Sequence, residues 1–155
     1  MRLCGLAGLA LALLLGGGVR ADDKRGEKAE GVKKEWKRLN GTWVLGKVDA
    51  DPETRTLAGG ETLTIKEGKY TVRDAGKLVE QGTAKIDPTT SPKSLDATTS
   101  SGPKKGEVSR VIYELKGDTH RLCFAPPGKP RPKVFESKKG SGDALHTFKR
   151  AKARD

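Results

Sequence analysis

The sequence predicts an all-β domain, a small antiparallel up-and-down barrel of about eight strands with a short N-terminal α-helix. Three observations predict it. Apolar and polar residues alternate over short runs, as in strands with one buried face. Turn sequences such as Glu67-Gly68, Asp74-Ala75-Gly76 and Gly117-Asp118 separate these runs. Gly41-Thr42-Trp43 opens the first run, where the glycine allows a tight bend and the indole suits the closed end of a barrel.

Residues 1–21 have the composition of a cleaved export signal. Arg2 supplies a positive start, and Leu3–Leu15 is an apolar run too short for a membrane span of ~20 residues. Val19-Arg20-Ala21 places small residues at both positions that a signal peptidase reads. We therefore expect cleavage before Asp22, an exported protein (periplasmic or extracellular), and no transmembrane segment after cleavage.

The mature chain has the length of one domain and a basic charge. Removing 21 of the 155 residues leaves 134, with Cys123 as the single cysteine and 29 basic against 20 acidic residues, a balance of +9. Nine of the lysines and arginines lie in residues 129–155. A basic surface favours anionic partners, and export makes an anionic envelope polymer a better candidate than nucleic acid. The alternative is a solvated surface that keeps the chain soluble and monomeric.

The first element after the signal is a helix. Residues 22–35 are expected to be a polar leader in which this helix starts, and the helix itself to have about two or three turns. Ala29, Val32, Trp36 and Leu39 lie on one helical stripe. Because the helix leads directly into the first strand, Trp36 is placed to cover a barrel end.

The barrel domain is expected to occupy residues 36–150, followed by a basic tail over 151–155. A bulge or bend is predicted at Gly82, and an extended surface loop over Ala125–Pro132, which contains four prolines. Strands are predicted at 43–48, 61–66, 69–73, 78–86, 94–99, 108–116, 119–124 and 144–150, with a brief edge pairing at 134–136.

Strand alternation assigns the side chains of the barrel interior. His120 shares the face of Leu122 and Phe124, since these three residues are spaced by two. Trp43 is expected to close the floor. The candidate ligand-binding set is Trp43, Leu63, Ile65, Tyr70, Val72, Val111, Tyr113, His120, Leu122 and Phe124.

The residue types that carry catalysis do not form a constellation in the sequence. His120 and His146 lie in different predicted strands, and no pair has the spacing of a metal-binding motif. Cys123 is three residues from His120, which puts the two side chains on opposite faces of a strand and disfavours a Cys-His nucleophile. We therefore predict a non-enzymatic protein with no metal and no cofactor.

Six segments in a fixed order carry a resemblance to a known family: Leu39–Trp43, Leu63–Lys66, Lys69–Val72, Ile112–Thr119, Leu122–Lys129 and Arg131-Pro132. Over residues 36–150 the chain resembles the lipocalin-like domain family of planctomycete bacteria. Cys123–Gly128 is the most specific part, whereas Gly-x-Trp occurs in many barrel families. The resemblance implies an exported lipocalin-type barrel without an established activity, and it supplies no catalytic residues.

The resemblance also implies a basic side chain packed over Trp43. The matching positions are Lys149 and Arg150, of which arginine stacks better on an indole. His120 departs from the family pattern, where an apolar residue is usual, and this argues against a uniformly apolar interior.

The sequence thus leaves two functions open. The first is binding of a small apolar or amphipathic molecule inside the barrel. The alternative is a barrel packed shut, whose basic surface or proline-rich loop binds a protein or an anionic envelope polymer. A cavity of ~300 Å³ or more, the lower range for ligand pockets, would favour the first function.

Overall fold

Strands of the computed structural model close into an antiparallel barrel with a helix at the N-terminal side, which confirms the predicted fold class. The structure describes residues 21–50, 53–56 and 60–152; almost all of the predicted signal and most of the basic tail lie outside these ranges. The elements are α1 (Ala21–Leu39), β1 (Gly41–Ala50), β2 (Glu53–Thr56), β3 (Glu61–Lys66), β4 (Lys69–Asp74), β5 (Lys77–Asp87), β6 (Lys93–Thr99), β7 (Val108–Lys116), β8 (Thr119–Phe124) and β9 (Ala144–Arg150).

The barrel closes because β1 pairs with both β3 and β9. Trp43 lies opposite Leu63 on one side and opposite Arg150 on the other. From β3 to β9 each strand pairs with the next one along the chain, so β1 and β3–β9 form the up-and-down barrel. This connectivity needs only short turns between antiparallel neighbours.

β2 is a short strand that pairs with the C-terminal part of β1, and it is not among the strands predicted from the sequence. Asp51-Pro52-Glu53 has the composition of a break, since proline cannot donate to a strand ladder. However, Ala50 pairs with Glu53, and the pairing continues to Lys47 and Thr56. Glu53, which directly follows the proline in sequence, therefore belongs to a strand.

One side chain in two faces the barrel interior. Along β3, Leu63 and Ile65 are buried while Thr64 and Lys66 are exposed. The main core cluster contains these inward residues of several strands together with one helix residue: Leu39, Trp43, Leu45, Leu63, Ile65, Tyr70, Leu95, Ala97, Val111, Tyr113, Leu122 and Phe148.

α1 is joined to the barrel by its last turns. Leu39 is fully buried, Trp36 packs against the core cluster, and the buried Glu35 carboxylate accepts from Lys93 Nζ at 2.6 Å. The helix begins at Ala21 in the described range, so the predicted leader over 22–35 is helical and the prediction of two or three turns is too short. Lysine, glutamate and alanine are good helix formers, and this favours helix over the whole segment.

A second apolar cluster lies on the outside of the barrel. Ile112, Cys123 and Leu145 point outward from β7, β8 and β9, and Phe135 packs against them. Phe135 belongs to residues 125–143, the segment between β8 and β9, which we call the strap. The predicted edge strand at 134–136 is wrong, because this part of the strap contacts the barrel through the Phe135 side chain and not through ladder pairing.

The strap is fixed at a second point by Arg131. Its Nη1 donates to the carbonyl oxygens of Leu95 and Val111, at 2.7 Å each, and its Nη2 contacts the Asp96 carboxylate. The predicted loop over 125–132 contains no strand, but it is not extended throughout, because the Lys129 N–H donates to the Pro126 carbonyl oxygen at 3.0 Å across a turn. Its arginine nevertheless holds it on the barrel wall.

β5 contains one irregularity, at Val79 and not at the predicted Gly82. Val72 pairs with Glu80 and Arg73 with Leu78, which leaves Val79 as the extra residue of a bulge. Gly82 has a different use: a Cβ there would stand 2.1 Å from the Thr98 carbonyl oxygen and 2.7 Å from the Tyr70 ring. The missing side chain therefore makes room for Tyr70 to cross the interior.

Candidate functional site

The barrel interior contains a cavity of about 380 Å³. It runs from Trp36 and Lys69 near α1 to Lys104, Glu107 and Pro127 at the opposite end of the barrel. The rest of its wall is formed by Glu61, Leu63, Ile65, Tyr70, Val72, Val79, Glu80, Ala84, Leu95, Ala97, Thr99, Ser109, His120, Leu122, Phe124, Ala125, Ala144, His146 and Phe148. The wall is thus apolar for most of its length, with a few polar groups.

Most of the predicted interior residues line this cavity. They are Leu63, Ile65, Tyr70, Val72, His120, Leu122 and Phe124. Trp43, Val111 and Tyr113 also face inward and belong to the packed core cluster, but they are not among the residues that line the cavity. Contact of these three residues with a ligand stays a prediction.

A row of rings follows β8 and β9 through the interior. The Trp43 and His120 ring centroids are 5.0 Å apart, and those of His120 and Phe148 are 6.3 Å apart. The row continues from Phe148 to His146 at 6.1 Å and from His146 to Phe124 at 4.9 Å. These spacings are in the range for interacting aromatic rings, so this wall is both apolar and stiff.

A hydrogen-bonded polar group faces the cavity from three other strands. The Tyr70 hydroxyl donates to Glu80 Oε1 at 2.7 Å and lies 3.3 Å from Thr99 Oγ1, which itself donates to Glu80 Oε1 at 3.3 Å. Burial is the main cause that raises the pKa of Tyr70 to about 12; the hydrogen bond with Thr99 opposes the shift, and Glu80 adds to it. Glu61 lies in the same wall, and burial together with Asp74 and Glu80 raises the pKa of its carboxyl. Tyr70, Glu80 and Thr99 therefore satisfy one another inside the barrel.

His120 differs from this group because its ring has no hydrogen-bond partner among the described residues. The side chain is 0% exposed, and neither Nδ1 nor Nε2 is bonded. Burial, and after it the Arg150 guanidinium, lower the pKa of His120 to about 4. The imidazole is therefore neutral at neutral pH, with one nitrogen as donor and the other as acceptor.

His146 lies next to Phe124 in the same wall. Burial lowers its pKa below the usual value. Both histidines thus face the interior as uncharged rings, and Cys123 lies on the outer face of β8, as strand alternation predicts. The geometry keeps the thiol away from both imidazoles.

The geometry distinguishes Arg150 from Lys149 as the partner of Trp43. The Arg150 guanidinium carbon is 4.1 Å from the centroid of the Trp43 ring, and its nitrogens donate to the carbonyl oxygens of Asn40 at 3.0 Å and Arg38 at 2.9 Å. Lys149 points the other way, toward the Thr119 hydroxyl.

Gly41 is required by this arrangement. Its φ of +132° is a conformation that side chains rarely adopt, and a Cβ there would stand 2.9 Å from Arg150 Nη1. Gly-x-Trp and the last strand thus form one structural unit at the α1 end of the barrel.

Several wall residues were not predicted from the sequence. Leu95, Ala97 and Thr99 alternate along β6, so the period-two pattern was available to find them. Glu61 and Glu80 carry no such signal, because charged side chains are seldom assigned to an interior.

Within residues 21–50, 53–56 and 60–152, no group of three or more histidine, cysteine, aspartate or glutamate side chains is placed to hold a metal ion. In the same ranges, no helix combines the length and apolar character needed to span a membrane.

The chain was also compared with known proteins. No family model, curated protein or solved structure matches it. The lipocalin-like family, export and cleavage before Asp22 therefore stay predictions.

Proposed function

We propose that this protein is a non-catalytic binding protein that holds a small amphipathic molecule inside its barrel. The observation that carries the proposal is the cavity of about 380 Å³, which is apolar along most of its wall and polar at few points. This volume lies in the lower range of ligand pockets, and such pockets have this division between apolar walls and a few polar groups.

The acid-base properties of the wall support binding over catalysis. An efficient general acid or base has a pKa near the working pH. The pKa of His120 is lowered to about 4 and that of Tyr70 is raised to about 12, so neither group exchanges its proton readily near neutral pH. Their positions are better suited to orienting a bound molecule.

An environment-sensitive apolar fluorophore tests the proposal on the mature domain. We expect saturable binding at one probe per barrel. Ala97 lines the cavity on β6, so Ala97→Phe places a ring in the ligand volume and should weaken binding at least about tenfold. Thr98→Phe is the matched control, since Thr98 is the next residue on the same strand and is absent from the cavity wall. Equal affinities of Ala97→Phe and the parent protein, with both folded, would contradict a site inside the barrel.

The alternative partner, an anionic envelope polymer, gives a different outcome in the same assay. The probe would fail to bind, and affinity for a polyanion would fall steeply with salt. Lys149 and Lys152 are exposed and are suitable positions to neutralise in that test. Arg150 is not, because it stacks on Trp43 and its loss would disturb the fold.

A further inference from the structure

His120 is the point in the cavity wall where a polar contact is missing. A buried polar group without a partner loses its hydration and gains nothing in return, so such groups usually meet a water molecule or a ligand. Among the described residues, the buried side-chain nitrogens and oxygens without a partner are the Tyr113 hydroxyl and both nitrogens of His120. Of these two residues, only His120 lines the cavity.

The surroundings of His120 define what can meet it. Three aromatic rings pack around the imidazole, with centroids 5.0 Å away for Trp43 and 6.3 Å away for Tyr113 and Phe148. A charged head group placed next to these rings would lose its hydration. The neutral imidazole could offer it only one hydrogen bond, which does not offset that loss. The Glu35 carboxylate, whose charge acts on His120, disfavours an anion there, and Glu61 and Glu80 add negative charge elsewhere in the cavity wall. At the other side of Trp43, the Arg150 guanidinium disfavours a cation next to His120.

We propose that the ligand is an uncharged amphipathic molecule whose hydroxyl head group hydrogen-bonds His120 and whose apolar body lies along Leu122, Phe148 and Phe124. This rests on the binding function proposed above. A hydroxyl fits because it can either donate to the acceptor nitrogen or accept from the donor nitrogen of the neutral imidazole, whichever faces it. Tyr70, Glu80 and Thr99 already form hydrogen bonds with one another, so they have less need of a hydrogen bond from a ligand than His120 has.

Three probes of equal chain length separate the head groups: 1-octanol, octanoate and octylamine, each used to displace the fluorophore from the mature protein. We expect 1-octanol to displace it at a concentration at least about tenfold lower than octanoate or octylamine. His120→Leu should remove this preference, measured within the variant as the ratio of the displacing concentrations of octanoate or octylamine to that of 1-octanol. His146→Leu is the matched control, because His146 lines the same wall nearer to Phe124, and the preference for the alcohol should persist in it.

Nuclear magnetic resonance of the parent protein with ¹⁵N-labelled histidine provides a second measurement, in case His120→Leu does not fold. Saturation with 1-octanol should shift the ring nitrogen signals of His120 more than those of His146. If the signals of His120 do not move, or the preference for 1-octanol persists in a folded His120→Leu, the inference is wrong. In that case the binding function stands, whereas failure of the fluorophore itself to bind would overturn both proposals.

Discussion

Trp43 is fixed by groups that come from three separate parts of the chain. Its Nε1 donates to the carbonyl oxygen of Leu39 at 2.9 Å, the Arg150 guanidinium covers its ring, and His120 packs on it from β8. The indole therefore joins the end of α1 to the first and last strands of the barrel. Its neighbour Trp36 has a lesser role, since it is only half-buried at the helix surface.

Replacement of Trp43 and of Trp36 by alanine should lower the free energy of unfolding by very different amounts. Trp43→Ala removes a fully buried indole and should lower the free energy of unfolding by about 3–5 kcal/mol. Trp36→Ala should lower it by less than about 2 kcal/mol, because part of that side chain is in water. Urea unfolding followed by circular dichroism measures both, and equal, small losses would show that Trp43 does not hold the closed end.

At this scale the sequence predicts the inward residues of β3, β4, β7 and β8 correctly, because every second residue of these strands is mainly apolar while the alternate positions are mainly polar. It could not choose between Lys149 and Arg150. β9 is apolar on both faces, with Phe148 inside the barrel and Leu145 under the strap, so alternation alone does not assign its orientation. The unpartnered ring of His120 was equally beyond prediction, since a missing partner is a property of the packed interior.

The strap is the element for which sequence and structure differ most. Its prolines predict a surface loop, yet Phe135 and Arg131 hold it against the outside of the barrel. Arg121 adds to this contact, with its guanidinium 5.1 Å from the Phe135 ring and a hydrogen bond of 3.2 Å to the Phe135 carbonyl oxygen. Phe135 stands between Val134 and Glu136 in a run too short to carry a clear apolar period, so its partners on three strands could not be inferred.

The strap should protect Cys123 from thiol reagents. The thiol is buried, and burial is the main cause that raises its pKa to about 11, so little thiolate is present near neutral pH. Phe135→Ala opens the outer cluster and should speed the reaction of Cys123 with an aromatic disulfide at least about tenfold. Val134→Ala is the control, since Val134 is 47% exposed and adjoins the same residue in sequence. Equal rates for the two variants would show that Phe135 does not cover the thiol.

For the whole molecule, the buried histidines should make stability depend on pH. The pKa of His120 is about 4 in the folded protein against 6.5 for the free side chain. Burial is the main cause; Arg150 adds to the lowering and Glu35 opposes it. The folded state binds a proton at His120 less readily than the unfolded chain does. The contribution of His120 therefore leaves the free energy of unfolding highest above pH ~6.5 and lowers it as the pH falls toward ~4. The loss amounts to about 3 kcal/mol for His120, and His146 contributes in the same direction.

Urea unfolding of the parent protein and of His120→Leu between pH 7 and pH 4 measures this effect. The variant should show a flatter pH profile. The pKa values of Asp87 and Glu114 are also lowered, from the usual 3.8 and 4.5. These carboxyl groups change the free energy of unfolding only near and below those usual values, so they do not account for a change above pH 5. Parallel profiles for the two proteins would exclude His120 as the source.

The pairing of β1 with β9 has a consequence for the order in which the chain acquires its structure. A ribosome delivers β1 first and β9 last, and the partner of Trp43 is at residue 150. Until that residue is available, the sheet has two open edges, and the rings of Trp43, His120 and Phe124 lack the wall that β9 provides. Such edges and apolar faces are what chaperones bind and what aggregating chains share. Closure depends on contacts between distant parts of the chain, which makes it intrinsically slow, and a chain that stops before Phe148 would carry its interior permanently open.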